Sequence, residues 1–252
     1  MTANLTQTLG RGTKMRHTRY WLALCLALLG GTTFVGLAPV LTASLAVADD
    51  ATEAASLKAA AATKEQWAMY NYGKVLFEGK GTTRDVKAAA EMFAEAAAQG
   101  NNWAQFSLGE MHLSGEGVAV DPWKAAELFA SSAAQGNPWA QFKLGDMNLD
   151  GSQIPQDLPK AKDLFEKSAA QGNPWAQLRL GQMYVDGRGV KRSLPTGQAL
   201  IEKSAAQGTL FAKVALANIV HHSSPTKAIR LLKEAADSGS ELAKQRLKEL
   251  RG

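Results

Sequence analysis

The fold is decided by residues 140–175, which read AQFKLGDMNLDGSQIPQDLPKAKDLFEKSAAQGNPW, and by residues 176–211, which read AQLRLGQMYVDGRGVKRSLPTGQALIEKSAAQGTLF in the same register. Each segment begins with an alanine that follows an aromatic residue. That alanine recurs every 36 residues, at Ala68, Ala104, Ala140, Ala176 and Ala212, and a shorter unit of 31 residues leads to Ala243. A fixed period of this length is the signature of a repeat architecture. We therefore predict five repeats over residues 67–242.

Two apolar stripes divide each repeat into two helices. The leading alanine and the apolar fifth and eighth positions share one face at helical spacing. A second stripe follows, in which Leu128-Phe129 of the second repeat is typical. Glycines such as Gly136 can take the left-handed conformation that ends a helix, and Asn137-Pro138 then supplies a cap and a first residue for the next helix. Each repeat is predicted to be a helix-turn-helix unit.

The second repeat carries the complete pattern, which comprises Leu108-Gly109, Gly115, Gly117-Val118, Asp121, Lys124-Ala125 and Gln135-Gly136. This pattern resembles the Sel1-like repeats, which are relatives of tetratricopeptide repeats. The resemblance implies an all-α, right-handed α/α superhelical solenoid whose repeats stack edge to edge. The physics of the chain agrees, because one helix pair cannot bury its apolar face alone. We expect capping helices at both ends, over residues 49–66 and 243–252.

Three repeats depart from the pattern locally. Gln153 replaces a turn glycine in the third repeat, Ser193 replaces the capping aspartate in the fourth, and the fifth lacks the Gly-x-Gly turn. These changes predict altered loops in the third and fifth repeats within an unchanged fold.

The charge distribution argues against nucleic acid as a partner. The chain carries 28 basic and 23 acidic residues, but Arg11, Lys14, Arg16 and Arg19 all lie in the first 48 residues, which contain no acidic residue. The remaining body is nearly neutral with interspersed signs. Phosphate recognition requires clustered Lys and Arg.

Residues 1–48 have the three parts of a secretory signal peptide. A basic segment ends at Arg19, an apolar run follows, and the small-residue ending Ala46-Val47-Ala48 precedes two aspartates. Cleavage after Ala48 is the first interpretation, and an uncleaved membrane anchor is the alternative, because the apolar run is long enough to span a bilayer. The single cysteine, Cys25, lies in this segment, so the body has no disulfide. We expect an exported bacterial protein, either periplasmic or secreted.

No metal, cofactor or catalytic site is predicted. Asp146, Asn148, Asp150 and Asp157 have the spacing of a calcium loop, but the repeat register places the first three inside a helix, where their side chains diverge. His221-His222 ends a helix and is a poor metal site. Three serines recur every 36 residues and are interpreted as small packing residues; they are Ser132, Ser168 and Ser204.

An aromatic row and a polar stripe form the candidate binding surface. One residue before each leading alanine lies an aromatic residue: Trp67, Trp103, Trp139, Trp175 and Phe211. A helical wheel at about 100° per residue places this row beside polar positions that include Glu110, Lys143, Asp146, Arg179 and Gln182. The indoles either pack between neighbouring helices or line an amphipathic groove on the concave face.

The resemblance implies a non-catalytic adaptor or scaffold that binds another protein. The family likeness suggests an envelope receptor, a cell-wall or polysaccharide enzyme, a motility component or a host protein as the partner. The alternative is a cell-wall or glycan-directed binder or enzyme. Some cysteine-rich relatives are linked to β-lactam compounds, but this chain lacks their paired cysteines.

Overall fold

The computed structural model describes the backbone of residues 38–250 and the side chains of residues 49–250. All regular elements in this range are helices. In chain order they are α1 (Ala38–Ala61), α2 (Gln66–Glu78), α3 (Val86–Ala98), α4 (Asn102–Ser114), α5 (Pro122–Ala134), α6 (Pro138–Asp150), α7 (Leu158–Ala170), α8 (Pro174–Asp186), α9 (Leu194–Ala206), α10 (Leu210–Val220), α11 (Pro225–Asp237) and α12 (Glu241–Glu249).

The helices α2 to α11 form the five predicted helix pairs. Within each pair the first helix packs against the second, and the second helix also packs against the first helix of the next repeat. The closing helix α12 packs on α11 in the same way. Residues from Asp50 onward form one compact unit.

The N-terminal helix differs from the prediction. We expected a capping helix over residues 49–66, but α1 is continuous from Ala38 to Ala61. Its sequence is rich in alanine and contains no glycine, so nothing interrupts the helix at Asp49. It ends before a turn in which Lys64 has a φ of 59°. Ala54 and Ala61 are its buried side chains within the described part.

The helix ends follow the sequence signals. The side chain of Asn137 accepts hydrogen bonds from the backbone N–H groups of Trp139 and Ala140 at the start of α6. At the other end of α6, Gly151 has a φ of 76° and its N–H donates to the carbonyl oxygen of Met147. Ser193 makes no side-chain cap to α9, which agrees with its place as a departure from the repeat pattern.

One glycine in each of the first four repeats is required by packing. A Cβ on Gly145 would lie 2.8 Å from the ring of Phe165, which is fully buried. Gly109 and Phe129 have the same relationship at 2.7 Å. In the fourth repeat a Cβ on Gly181 would lie 2.6 Å from the side chain of Ile201. The first helix therefore approaches the second closely enough that only glycine fits beside the phenylalanine ring or the isoleucine side chain.

The loops of the third and fifth repeats are altered, as predicted. In the second repeat Gly117 has a φ of 75°, whereas Gln153 at the same place does not adopt a positive φ. Ile154 is buried in that loop and replaces the half-buried Val118. In the fifth repeat α10 has 11 residues, against 13 in the other repeat helices, and His221 continues in helical conformation.

The recurring serines are small buried residues, as interpreted from the sequence, and they also make a hydrogen bond that the sequence did not predict. Each is fully buried and its hydroxyl donates to a backbone carbonyl at the start of the first helix of its own repeat. Ser132 donates to Asn102 at 2.7 Å, Ser168 to Pro138 at 2.6 Å and Ser204 to Pro174 at 2.7 Å. A buried hydroxyl requires such a partner.

Buried glutamines connect consecutive repeats. Gln141 on α6 accepts a hydrogen bond of 2.9 Å from Gln171 at the end of α7. Its own amide donates at 3.2 Å to the carbonyl oxygen of Ala133 on α5. Equivalent pairs, Gln135 with Gln105 and Gln207 with Gln177, occur at the neighbouring junctions. Each glutamine of the first helices thus bridges two second helices.

Candidate interaction surface

Two ion pairs join the first helices of consecutive repeats. The Nζ of Lys143 on α6 lies 2.8 Å from the Oε2 of Glu110 on α4. The Nε of Arg179 on α8 lies 2.8 Å from the Oδ1 of Asp146 on α6, and a second nitrogen of that guanidinium lies 3.5 Å from the other carboxylate oxygen. All four side chains are between one third and one half exposed. They form a ladder of alternating charge across α4, α6 and α8.

The ladder consists of two ion pairs, which we call rungs, because the equivalent positions in the flanking repeats do not carry opposite charges. The two partners of a rung are 33 residues apart in the chain. The residue pairs at the same spacing in the flanking repeats are Gln182 with Ala215 and Lys74 with Ser107, and neither is an oppositely charged pair. Gln182 therefore shares the repeat position of Asp146 but belongs to no rung.

The aromatic row is largely exposed. The exposed fractions of these residues are 53% for Trp67, 43% for Trp103, 38% for Trp139 and 58% for Phe211. Trp103 touches Phe106, one helical turn further along α4, with ring planes at 86° and centroids 6.4 Å apart. The row therefore leaves several large aromatic faces open to solvent.

Trp175 differs from the other tryptophans of the row. It is partly buried and packs against two hydrophobic clusters, those of the third and fourth repeats and of the fourth and fifth. Its ring lies 5.8 Å from that of Phe211. One position of the repeat thus serves packing in one unit and exposes an aromatic surface in others.

We use the name ladder surface for the two rungs together with Gln182 and three tryptophans of the row. Its residues are Glu110, Lys143, Asp146, Arg179, Gln182, Trp103, Trp139 and Trp175. Because Lys143 and Arg179 already have carboxylate partners on the protein, the surface presents paired charges. Paired, half-exposed charges contribute little to folding and remain available for hydrogen bonds with a partner.

The calcium-like motif lies in a helix, as the repeat register predicted. Asp146 pairs with Arg179, and the buried Asn148 amide donates at 2.7 Å to the carbonyl oxygen of Leu144. Asp157 caps α7 by accepting from the N–H of Lys160. Each of these polar groups therefore has a structural partner. Among the described residues, no group of three or more His, Cys, Asp or Glu side chains is arranged to hold a metal ion.

One exposed tryptophan of the repeats, Trp123, lies outside the aromatic row and was not predicted as a surface residue. It lies in the first turn of α5 and is 61% exposed. It lines a cleft of about 510 Å³ together with Ile154, Pro155 and other residues of the altered third loop. The sequence signal for its exposure was its repeat position, because the equivalent residues in other repeats are Lys87, Pro159 and Pro195, which are not large apolar residues.

The repeat assignment is decided by comparison with protein families. The model of the Sel1 repeat matches residues 68–101, 104–137, 140–173, 176–209 and 223–240. The chain belongs to the Sel1 repeat family. The match omits residues 210–222, which contain α10 and the turn that lacks the Gly-x-Gly sequence. Comparison with curated protein sequences found no match.

Solved structures of Sel1 repeat proteins are similar to this one. A protective antigen of uropathogenic Escherichia coli with an SLR fold is 30% identical, with a TM-score of 0.72 over 80% of this chain and 44% of the antigen. The chain thus spans less than half of that relative's length. A Sel1 repeat protein from Oxalobacter formigenes is 25% identical, with a TM-score of 0.70 over 79% of this chain and 89% of that protein.

The predicted all-α helical repeat fold is confirmed by these comparisons. Sel1 repeat proteins are generally protein-interaction scaffolds and are typically non-catalytic. The predicted signal peptide, residues 1–48, lies outside the residues whose side chains the structure describes. Within residues 38–250, none of the helices has the length and apolar character needed to span a membrane.

Proposed function

We propose that the chain is a non-catalytic adaptor that binds another protein through the ladder surface. The observation that carries this proposal is the exposure of Trp103 and Trp139 on the same consecutive helices that carry the two ion-pair rungs. Exposed aromatic side chains provide contact area at small entropic cost, and charges beside them set orientation and specificity. The Sel1 repeat family, whose members typically bind proteins, supports this assignment.

The proposal includes export to a bacterial envelope or beyond it. The basic segment, apolar run and Ala46-Val47-Ala48 ending of the N-terminus support it. An adaptor in that compartment would meet a receptor, cell-wall or polysaccharide machinery, or a host protein.

The test begins with affinity capture from an envelope extract, with and without crosslinking, using the full chain. Binding of the captured protein is then measured for Lys143→Ala, Asp146→Ala, Arg179→Ala and Trp139→Ala. We expect each change to weaken binding, while each ladder-charge variant loses less than about 1 kcal/mol of stability, because half-exposed ion pairs contribute little to folding.

A matched control is the ion pair of Lys162 with Glu166 on the second helix α7. Its two charges are as exposed as those of the Glu110–Lys143 rung, with Nζ and Oε2 2.7 Å apart. Lys162→Ala is expected to leave affinity unchanged. Intact affinity in all four ladder-surface variants would move the binding surface elsewhere. Capture of purified glycan in place of protein would instead favour the glycan-directed alternative.

A further inference from the structure

A small aromatic cavity lies between the first helices of the first two repeats. It has a volume of about 220 Å³. Its apolar walls come from Tyr70 and Phe77 on α2, Phe93 on α3, and Phe106 and Met111 on α4. Whole small-molecule sites usually have about 300–1,000 Å³, so this cavity suits a single side chain better than a free ligand.

The carboxylate of Glu110 gives this cavity an unsatisfied acceptor. Its Oε2 accepts from Lys143 at 2.8 Å, whereas its Oε1 is buried and has no hydrogen-bond partner. Glu110 lines the cavity, as do the carboxylates Glu78 and Glu116 and one ammonium group, Lys74. A buried carboxylate oxygen without a donor is unfavourable, and a cationic donor relieves that cost.

The phenol of Tyr70 adds a neutral polar group to the wall. Burial raises the pKa of Tyr70, and Ser107 is its hydrogen-bond partner. The phenol therefore stays neutral near pH 7 and contributes an aromatic face. The acidic groups of the cavity are thus its glutamates.

One guanidinium group of the chain already contacts two residues that line the cavity. Arg84 lies over the ring of Phe77, with its Cζ 5.4 Å from the ring centroid. The same guanidinium donates to Glu116 at 2.8 Å and to the carbonyl oxygen of Phe77 at 2.9 Å. The aromatic face of Phe77 and the carboxylate of Glu116 thus bind an arginine of the chain itself. The same cavity contains other aromatic rings and the carboxylate of Glu110.

We propose that this cavity binds an arginine side chain of the partner protein, with the guanidinium on Glu110 Oε1 and between the aromatic rings of Tyr70 and Phe106. Arginine fits better than lysine, because its planar group stacks on aromatic faces and donates several hydrogen bonds at once. The inference deepens the proposed function and rests on it. Glu110 and Phe106 join the cavity to the ladder surface, since Phe106 also touches Trp103.

The test uses the full chain and a defined probe, N-acetyl-arginine methylamide, in an NMR titration that follows the ring resonances of Tyr70 and Phe106. The citrulline analogue has nearly the same shape without the charge, and the lysine analogue has the charge without the planar group. We expect saturable binding of the arginine probe, and binding at least about tenfold weaker for the other two.

Two variants are expected to act in opposite directions. Glu110→Gln removes the charge of the acceptor and is expected to weaken binding of the arginine probe by about tenfold. Lys143→Ala releases the other oxygen of Glu110 and is expected to tighten binding of the arginine probe by a few-fold. Binding of the whole partner protein is still expected to weaken, because the variant removes the Lys143 ammonium from the ladder surface. If the ion pair had only a structural role, the two variants would not change the affinity for the arginine probe in opposite directions.

The pair formed by Glu202 and Lys227 supplies matched controls. It also joins two helices, with Nζ and Oε1 3.0 Å apart and similar exposure of both side chains. Glu202→Gln and Lys227→Ala are expected to leave the affinity for the probe unchanged. Equal effects of these variants would show a general charge effect and would overturn the proposal.

The remaining outcomes separate this inference from the proposed function. Absence of saturable arginine binding, or equal binding of the lysine probe, overturns the arginine site. If Trp139→Ala still weakens binding of the captured protein in that case, the proposed adaptor function is supported and only the arginine site is rejected. If the arginine probe binds but the ladder-surface variants leave binding of the captured protein unchanged, the arginine site is supported and the ladder surface is rejected as the partner-binding surface.

Discussion

The hydroxyl of Ser168 donates a hydrogen bond of 2.6 Å to the carbonyl oxygen of Pro138, 30 residues earlier in the chain. It ties the last turn of the second helix to the first turn of the first helix within one repeat. The equivalent position holds alanine in the first and fifth repeats, at Ala96 and Ala235, so the space accepts a residue without the hydroxyl. The bond is therefore testable without creating a large cavity.

We expect Ser168→Ala to lower the free energy of unfolding by about 1 kcal/mol, the typical net value of one hydrogen bond. Ser168→Val replaces the hydroxyl with two methyl groups in a fully buried place, and overpacking is expected to lower the free energy of unfolding by about 1–3 kcal/mol. Urea unfolding followed by circular dichroism measures both. Ser131→Ala, on the exposed side of the same type of helix, is the control and should be nearly neutral.

The tryptophan row predicts an uneven response to alanine substitution. Trp175 packs between two hydrophobic clusters, so Trp175→Ala should lower stability by about 3 kcal/mol. Trp67 is more than half exposed, so Trp67→Ala should change stability by less than about 1 kcal/mol. Chemical unfolding of both variants decides. A larger loss for Trp67 would contradict the burial that separates them.

Glu202 predicts an acid-dependent part of the stability. A hydrogen bond and ion pair with Lys227, assisted by Gln198, hold the pKa of Glu202 below its usual range. A lowered pKa in the folded state contributes stability above the pKa of the unfolded state, about 4.3, and that contribution disappears as pH falls through the folded value. The native chain should therefore exceed Glu202→Gln in stability at pH 7. Unfolding curves at pH 7 and pH 3 should show that the difference is smaller at the lower pH.

Whole-repeat deletion tests the period itself. Removing residues 138–173 should leave a shorter folded array, because the flanking junction is rebuilt from equivalent residues. Removing half that length should break the register and expose apolar faces. Circular dichroism and cooperative unfolding distinguish the two products. Equal loss of structure in both deletions would contradict the repeat assignment.

Export predicts a mature protein that begins at Asp49 and is found in the soluble envelope fraction. N-terminal sequencing of the product from cells fixes the first residue. A full-length species released only by detergent would favour the uncleaved anchor. Replacing Ala46 and Ala48 with bulky residues should block cleavage and serves as the control.

The sequence predicts the helices of this fold well because the signals are local and repeated. Asn137 caps α6 and Gly151 ends it, as their residue types and spacing indicate. The helix α1 begins before the predicted boundary at Asp49, because an alanine-rich segment without glycine has no local stop signal there. Boundaries set by propensity alone are hard to place.

The residues of the candidate surface could be predicted from the sequence, but the contacts between them could not. The helical wheel placed Glu110 and Lys143 on one stripe but did not show that they meet across repeats at 2.8 Å. Their distance depends on how neighbouring units are rotated, which no single repeat encodes. Opposite charges at a constant spacing of 33 residues are the signal that would have revealed both rungs.

The glutamine bridges make three of the junctions interchangeable. The bridging position holds Gln105, Gln141 and Gln177 in the middle of the array but Met69 and Lys213 at its two ends. A duplicated copy of residues 140–175, inserted after residue 175, would therefore meet a matching donor and acceptor on both sides. The same copy placed beyond Lys213 would face an ammonium that already pairs with Glu234 at 2.9 Å. The middle of the array therefore offers matching glutamine contacts to an inserted repeat, whereas the two end units do not.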